Sequence, residues 1–156
     1  MGIIIENKSI CPICKLVLNN GKPYHIFPPL ITNILDDLYL FSDAGVHMDC
    51  LNKSVFKAKL FYHLKIYNRR MLNQAAICAV SGEVISQADL VSFGLLTSNE
   101  IDSLYQYSYM TFNRRNISRW PQKEEFIIVA EDFLRRGKWS SACGFNYLEY
   151  VLDVIK

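Results

Sequence analysis

The chain has 156 residues, of which 51% are hydrophobic and 21% are charged. This length and composition indicate a globular protein of one domain or two small ones and exclude a disordered chain. The net charge is only +2, so there is no overall electrostatic preference for nucleic acid or for a membrane surface. No apolar run approaches the roughly 20 residues that span a bilayer, and the apolar N-terminus is too short for a signal peptide. We therefore expect no membrane partner.

Two pairs of metal-binding residue types, Cys11 with Cys14 and His47 with Cys50, each enclose two residues. Thiolates and an imidazole at this spacing match a four-coordinate zinc site with three cysteines and one histidine. The chain has five cysteines, an odd number that would leave a disulfide framework incomplete. We therefore predict one structural zinc ion in a cytoplasmic protein, and the alternative is a disulfide pair in a secreted protein.

The elements around these ligands can be taken in chain order. Residues 11–14 predict a zinc knuckle, a tight turn whose backbone amides point at the sulfur atoms. Residues 16–18 and 24–27 predict two strands that pair around the turn between them. Residues 47 to about 64 predict a helix, and its first turn places His47 and Cys50 on one face.

This order of knuckle, β-hairpin and helix resembles the treble-clef zinc finger over about residues 8–64. The resemblance implies that the second ligand pair lies at the start of the helix and that the zinc ion holds the knuckle against it. RING and LIM modules need a second complete ligand set, which Cys78 and Cys143 alone do not supply.

A second copy of this unit is indicated by an internal repeat. Aligning Phe27 with Phe93 gives seven identical pairs within a window of 16 positions, where about one is expected by chance. The pairs are Phe27 and Phe93, Leu30 and Leu96, Asn33 and Asn99, Asp36 and Asp102, Leu38 and Leu104, Tyr39 and Tyr105, and Ser42 and Ser108. We therefore predict a duplicated unit.

The second copy lacks most of the metal ligands. When Cys78 is aligned with Cys11, one position out of the register above, Ser81 stands opposite Cys14. In the register of the seven pairs, Asn113 and Asn116 fall opposite His47 and Cys50, so packing has to replace the metal in this copy. The predicted fold is α+β, with a zinc-binding treble-clef-like unit at 1–66, a degenerate repeat with C-terminal helices at 67–156, and a linker at about 65–73.

Within the repeat, we predict strands at residues 75–80 and 90–96. A helix is predicted after the capping residue Ser118 and before Gly137, with an apolar stripe facing the core. Residues 145–155 predict a last amphipathic helix, with Phe145 on its apolar face.

The strongest enzymatic alternative involves residues 24–28, Tyr-His-Ile-Phe-Pro, which resemble the Asp-His-Ile-x-Pro element of the zinc-supported HNH nucleases. The resemblance implies a catalytic role for His25. However, Tyr24 replaces the acidic residue, and His47 is required for zinc and therefore cannot hold a catalytic metal ion. We predict that the protein is not an enzyme, with a degenerate HNH-like nuclease as an alternative.

The remaining chemical groups predict no catalytic set. Asp36, Asp37 and Asp43 are interpreted as turn formers, and Cys143 as a small buried residue. Arg114, Arg115 and Arg119 form a candidate binding cluster near four aromatic residues, a combination that suits single-stranded nucleic acid. The aromatic residues are Tyr105, Tyr107, Tyr109 and Phe112. A nucleic-acid-binding zinc finger is therefore a second alternative, although the modest net charge favours packed tyrosines and solvated arginines over nucleic-acid binding.

The stretch 27–50 contains Phe-Pro-Pro, then Leu-Tyr-Leu-Phe-Ser-Asp-Ala-Gly, then His-Met-Asp-Cys. It resembles small bacterial proteins encoded beside secreted toxins. This resemblance implies an immunity protein, a cytoplasmic inhibitor that binds a toxin domain and covers its active site. We therefore expect a non-enzymatic, zinc-stabilised protein-binding module.

Overall fold

The computed structural model describes residues 4–5, 7–19, 21–71, 75–142 and 144–156. Cys143 and part of the predicted linker lie outside these ranges, so their predictions are not addressed. The fold is mixed α+β, with two small antiparallel hairpins and four α-helices in the described residues. The strands are β1 Tyr24–Ile26, β2 Gly45–His47, β3 Leu90–Ser92 and β4 Thr111–Asn113, and the helices are α1 Met48–Lys53, α2 Lys57–Met71, α3 Lys123–Arg135 and α4 Tyr147–Ile155.

The buried hydrophobic side chains form two clusters. One cluster contains residues between Cys11 and Leu60, together with Leu95 from the second half of the chain. The other contains residues between Val91 and Ile155, including much of α3 and α4. Each half of the sequence therefore builds most of its own apolar core.

The strand pairing differs from the predicted hairpin of residues 16–18 with 24–27. Val17 instead forms an isolated bridge with Ile10 across the knuckle. β1 pairs with β2, in a register that places Tyr24 opposite His47. The prediction was wrong because residues 27–44 are ordered by their own turn bonds, which bring β2 back to β1 from far along the chain.

The same order of elements occurs twice. β1, β2 and the start of α2 have counterparts in β3, β4 and the start of α3, all at the same offset along the chain. The 3₁₀ turn at Tyr39–Phe41 has its counterpart at Tyr105–Tyr107, also at that offset. The knuckle bridge Ile10–Val17 matches the bridge Ile77–Val84, with the offset changed by a single position. The repeated elements therefore follow the two registers of the repeated sequence.

The knuckles also share a left-handed residue. Lys15 has a φ of 61° in the first knuckle, and Gly82 has a φ of 71° at the same place in the second. A positive φ is strained for lysine but costs glycine little. The first knuckle therefore tolerates a backbone cost that the second avoids.

The predicted helix over residues 47–64 is divided into α1 and α2. The break lies at Ser54, whose amide bonds to the Leu51 carbonyl and whose hydroxyl accepts the Phe56 amide at 3.2 Å. A serine side chain that bonds to nearby backbone amides competes with helix continuation. α2 then extends to Met71, through both the predicted boundary at residue 66 and most of the predicted linker.

The second half also departs from its predicted boundaries. Residues 75–80 form no strand beyond the single bridge of Ile77, and the strand predicted at 90–96 is limited to β3. Ser118 does not cap α3, because it lies inside a 3₁₀ helix, Arg114–Arg119, and Gln122 occupies the N-cap position. Phe145 precedes α4 and is 60% exposed, so it does not belong to the apolar face.

The ends of α3 and α4 follow simple capping chemistry. Gly137, at a φ of 65°, follows α3, and the amides of Gly137 and Lys138 bond to the carbonyls of Leu134 and Phe133. This pair of bonds is a Schellman motif, which glycine favours. Asn146 caps α4 by accepting the amides of Leu148 and Glu149. The predicted stop at Gly137 is confirmed.

Two polar side chains join the halves of the chain. Asp36 accepts the backbone amide of Ser98 at 2.7 Å while also accepting its own turn amide at Leu38. Asn33, which is buried, donates to the Lys138 carbonyl at 2.9 Å and accepts the Ser140 amide at 3.1 Å. Asp36 is therefore a turn former, as predicted, and in addition a link between the halves.

His63 of α2 is fully buried in the contact between the halves, and its Nδ1 lies 3.0 Å from the Tyr109 hydroxyl. Burial is the main cause that lowers the pKa of His63 to about 4, with a contribution from the Lys59 charge. In the unfolded chain the His63 ring binds a proton near pH 6.5, whereas in the folded chain it does so only near pH 4. The contribution of neutral His63 to the free energy of unfolding is therefore complete above pH 6.5 and is lost as the pH falls from 6.5 towards 4.

We therefore expect the free energy of unfolding to fall by roughly 2 kcal/mol between pH 7 and pH 5 because of His63. In the His63→Gln variant, this part of the pH dependence should be absent. Urea titrations of both proteins at the two pH values measure the effect. An equal pH dependence in the variant and the wild type would contradict the assignment to His63.

Candidate metal centre

The four predicted ligands meet at one point. The sulfur atoms of Cys11, Cys14 and Cys50 and a ring nitrogen of His47 all lie within 4.8 Å of one another. The Sγ atom of Cys14 lies 3.3 Å from Nδ1 of His47, near the separation of about 3.6 Å for sulfur and nitrogen ligands on tetrahedral zinc. The four residues are close enough to hold a metal ion, which confirms the predicted cluster.

The two ligand pairs are brought together by different local structures. Cys11 and Cys14 lie on the knuckle, which is closed by a bond from the Cys11 amide to the Leu16 carbonyl at 2.8 Å. His47 is the last residue of β2 and is buried, and Cys50 follows in α1. The β1–β2 pairing therefore places the second ligand pair against the knuckle.

One thiol of the cluster, that of Cys11 on the knuckle, is set up for deprotonation. Burial raises the pKa of Cys11, but backbone amides of Cys14, His47 and Ile13 donate to its sulfur, and together with the Cys14 side chain they lower the pKa to about 6. A thiolate is the form of cysteine that binds metal ions. The thiolate of Cys11 is therefore available to bind a cation near neutral pH.

Cys50 behaves oppositely when no cation is considered. Burial and its hydrogen bond with Cys14, followed by the negative charge of Cys11, raise the pKa of Cys50 to about 11. A divalent cation at the centre of the cluster would remove this repulsion, because it neutralises the neighbouring thiolates. The four side chains are therefore better suited to surround a cation than to remain without one.

The equivalent position in the second half holds a hydrogen-bonded cluster, here called the Glu83 cluster, and no metal-ligand set among the described residues. The carboxylate of Glu83 accepts bonds of 2.8 Å from the side-chain amides of both Asn113 and Asn116. Asn116 also donates to the Ser81 hydroxyl at 3.2 Å. The Glu83 cluster consists of Cys78, Ser81, Glu83, Asn113 and Asn116.

Cys78 takes part in this network through its sulfur atom. The backbone amide of Asn113 donates to Sγ at 3.3 Å, as the amide of the ligand residue His47 does to Cys11 in the first half. Burial raises the pKa of Cys78, but the Ser81 hydroxyl and the amides of Asn113, Ser81 and Val80 outweigh it and lower the pKa to about 7. The thiolate-stabilising backbone is therefore present although three ligands are absent.

Glu83 was not recognised in the sequence. It occupies the position of Leu16 when the two knuckles are aligned by their bridges. The signal that could have identified it is the coincidence of a carboxylate on the knuckle with two asparagines at the missing ligand positions, since two neighbouring side-chain amides need an acceptor.

His25, the residue implied by the nuclease resemblance, lies in an aromatic environment. Its ring centroid is 4.6 Å from that of Phe27 and 5.4 Å from that of Phe61. Its Nε2 atom is buried and has no hydrogen-bond partner in the described part of the chain. Burial lowers the pKa of His25, so the ring is held as a neutral packing group.

The candidate arginine cluster is at the surface. Arg114, Arg115 and Arg119 are exposed on the 3₁₀ helix, and Arg115 pairs with Asp89 at 3.3 Å. Of the neighbouring aromatic residues, Tyr107 and Phe112 are buried in the second core. Buried rings cannot stack on bases, so half of the predicted aromatic platform does not exist.

Comparisons with known proteins and a search for membrane spans add two findings. No protein-family model, curated protein or solved structure matches this chain. No helix in the described ranges is long and apolar enough to cross a bilayer.

Proposed function

We propose that this protein is a non-enzymatic binding protein, stabilised by one structural zinc ion and built from two tandem treble-clef-like units, the second without metal ligands. The observation that carries the proposal is the four-ligand cluster of Cys11, Cys14, His47 and Cys50. Four protein ligands complete a tetrahedral shell and leave no position for a substrate or a catalytic water.

Zinc is the metal that the donor set favours. Three soft thiolates and one imidazole select zinc over magnesium or calcium, which prefer oxygen ligands. The placement of Cys11 on a knuckle and of Cys50 on a short helix after β2 is also the arrangement expected of a treble clef.

The repeated order of elements supports the duplication. The Glu83 cluster occupies the position of the metal, and the second half retains its own hydrophobic core. Since one unit has this frame with hydrogen bonds in place of the metal, we infer that the metal serves as scaffold in the other.

A nuclease is disfavoured by the environment of His25. A nuclease needs a hard cation and an activated water beside such a histidine. Here the ring packs against Phe27 and Phe61, with its Nε2 buried. We therefore assign His25 to the core of the first unit.

Among binding proteins, we propose a bacterial immunity protein that neutralises a toxin domain by covering its active site. Two units joined by partly buried polar contacts at Asn33 and Asp36 suit this role, because a preorganised surface loses little conformational entropy on binding. The resemblance of residues 27–50 to toxin-associated proteins gives the proposal its direction.

The test is co-expression with the product of the neighbouring reading frame, which the proposal predicts to contain a toxin domain. We expect the wild type to restore growth and to form a complex that survives gel filtration. We expect Cys14→Ala to lose protection and Cys78→Ala to retain it, which provides a matched pair of cysteine variants.

A parallel assay addresses the enzymatic alternative. The metal-loaded protein is incubated with DNA or RNA and with Mg²⁺ or Mn²⁺, and no cleavage is expected. Cleavage that disappears in His25→Ala would overturn the proposal, as would the absence of any protection in the growth assay.

A further inference from the structure

The helix α2 carries a charge pattern that its counterpart α3 does not share. Residues 50–82 contain six cations and no acidic residue. Within α2 itself there are five cations and no anion, whereas α3 contains two cations and four anions. The two units therefore have similar frames but helices of opposite charge.

Two of the four acidic side chains of α3 form ion pairs within the chain. Asp132 pairs with Arg135 and Arg136, and Glu131 pairs with Lys156 at 2.9 Å. None of the ion pairs between described residues involves α2. The exposed cations of α2, which are Lys57, Lys65 and Arg69, therefore present a positive field that no ion pair of the described residues compensates.

The exposure of α2 shows which side chains face outward. Leu60 and His63 point into the protein and are fully buried. Lys57, Lys65 and Arg69 are exposed to solvent. Beside these cations lie Tyr62, which is 53% exposed, and Val55, which is 89% exposed in the turn before the helix.

We propose that this α2 face, defined as Val55, Lys57, Tyr62, Lys65 and Arg69, binds an acidic surface of a partner protein. The inference rests on the proposed binding function and assigns the surface that performs it. Val55 and Tyr62 supply apolar contact, and the three cations pair with carboxylates around it, as in the core and rim of a protein interface.

A protein partner suits the α2 face better than nucleic acid. Phosphate binding needs cations but gains little from an exposed valine, whereas a protein interface gains from desolvating it. In addition, residues 75–156 carry eight cations and ten anions, so the second half of the chain would repel a long polyanion.

The test measures binding of a fluorescein-labelled acidic helical peptide, composed of glutamate and leucine, by fluorescence anisotropy at near-physiological salt. We expect the wild type to bind it, and the double variant Lys65→Glu/Arg69→Glu to bind at least about tenfold more weakly. Tyr62→Ala should also weaken binding, since the proposal assigns Tyr62 to the apolar contact.

The repeat supplies a matched control. Ile128 of α3 is exposed and occupies the position equivalent to Tyr62, so Ile128→Ala removes a corresponding apolar side chain. We expect this variant to bind the peptide like the wild type. Circular dichroism and metal content verify that every variant is folded.

Two results of the binding assay would overturn the inference. One is that the peptide does not bind the wild type, or that the α2 variants bind it as tightly as the wild type does. The other is tighter binding of a labelled oligothymidylate or DNA duplex that depends on Lys65 and Arg69 but not on Tyr62, which would indicate a nucleic-acid surface.

The inference and the proposed function can fail separately. If Lys65→Glu/Arg69→Glu still protects cells against the toxin, the immunity function stands and the α2 face is not its surface. If the wild type gives no protection but the peptide binds through the α2 face, the surface stands and the immunity function does not.

Discussion

Cys14→Ala is expected to release the metal ion and to unfold the first unit, whereas Cys78→Ala should leave both units folded. Structural zinc contributes an apparent folding free energy of about 10–16 kcal/mol in small zinc-dependent domains. This is comparable to the total stability of a single domain, about 5–15 kcal/mol, so we expect the first core to unfold without the ion.

The loss in Cys78→Ala should be much smaller. Cys78 contributes a sulfur acceptor for the Asn113 amide, and its removal leaves that donor unpaired. The cost of such a loss is about 1–3 kcal/mol, and the second core, which is rich in aromatic residues, remains intact.

Elemental analysis and thermal unfolding measure the contrast between the two variants. We expect one metal ion per chain in the wild type and in Cys78→Ala, and none in Cys14→Ala. Treatment of the wild type with a strong chelator should reproduce the unfolding of Cys14→Ala. Equal destabilisation by the two substitutions would contradict a structural metal in the first unit alone. A metal-free wild type that is stably folded, with the same unfolding temperature as the metal-bound protein, would contradict it as well.

A second metal site should appear when the ligands of the first unit are restored in the second. The variant Ser81→Cys/Asn113→His/Asn116→Cys supplies three ligands to join Cys78. Glu83→Leu is added because the Glu83 carboxylate otherwise occupies the centre, and leucine is the residue at the aligned position 16. We expect two metal ions per chain.

This expectation follows from the positions of the side chains. The side-chain nitrogen of Asn116 already lies 3.2 Å from the Ser81 oxygen and 3.9 Å from the Cys78 sulfur. Asn113 ends β4 as His47 ends β2. Restored ligands would therefore start near coordinating distance, and metal binding to the folded state alone raises stability.

The control for this experiment is Glu83→Leu by itself. It removes the shared acceptor of two asparagine amides in a partly exposed network, and we expect it to lower the free energy of unfolding by about 1 kcal/mol. The variant with all four substitutions also lacks the Glu83 carboxylate, so we expect it to regain the lost stability only when metal is added. A metal content that stays at one ion per chain would show that the second frame cannot close around a cation.

The metal cluster could be predicted from the sequence because its information is local. Two short spacings, Cys11 to Cys14 and His47 to Cys50, each fix a pair of ligands on one turn of backbone. Chelation then requires the pairs to meet, whatever the path between them. The end of α3 was equally predictable, because the glycine at position 137 suits a positive φ.

The strand pairing and the contacts between the halves could not be predicted in this way. Residues 24–26 could pair with the neighbouring residues 16–18 or with the distant β2. The choice depends on how residues 27–44 fold, and strand periodicity does not contain that information. The roles of Asn33 and Asp36 depend on partners in the second half of the chain.

The Glu83 cluster shows a different limit. Residue types indicated that three ligands were missing, but Glu83 lies 30 residues before Asn113 in the sequence, so only the aligned repeat connects the carboxylate with the two asparagines. The break at Ser54 was missed for a similar reason, since serine is tolerated in many helices and only its bond to the Phe56 amide ends this one.

The replacement of an ion by a side chain gives the two halves of the chain a different dependence on the supply of metal ions. The Glu83 carboxylate arrives with the chain, whereas the ion proposed at Cys11 and its partners would have to be obtained from the surroundings after synthesis. Under the proposed function, the half that depends on the ion leaves the ribosome first, and we expect it to stay open to proteases until the ion binds. The cellular amount of such a protein would rise and fall with zinc availability, while its later half folds regardless.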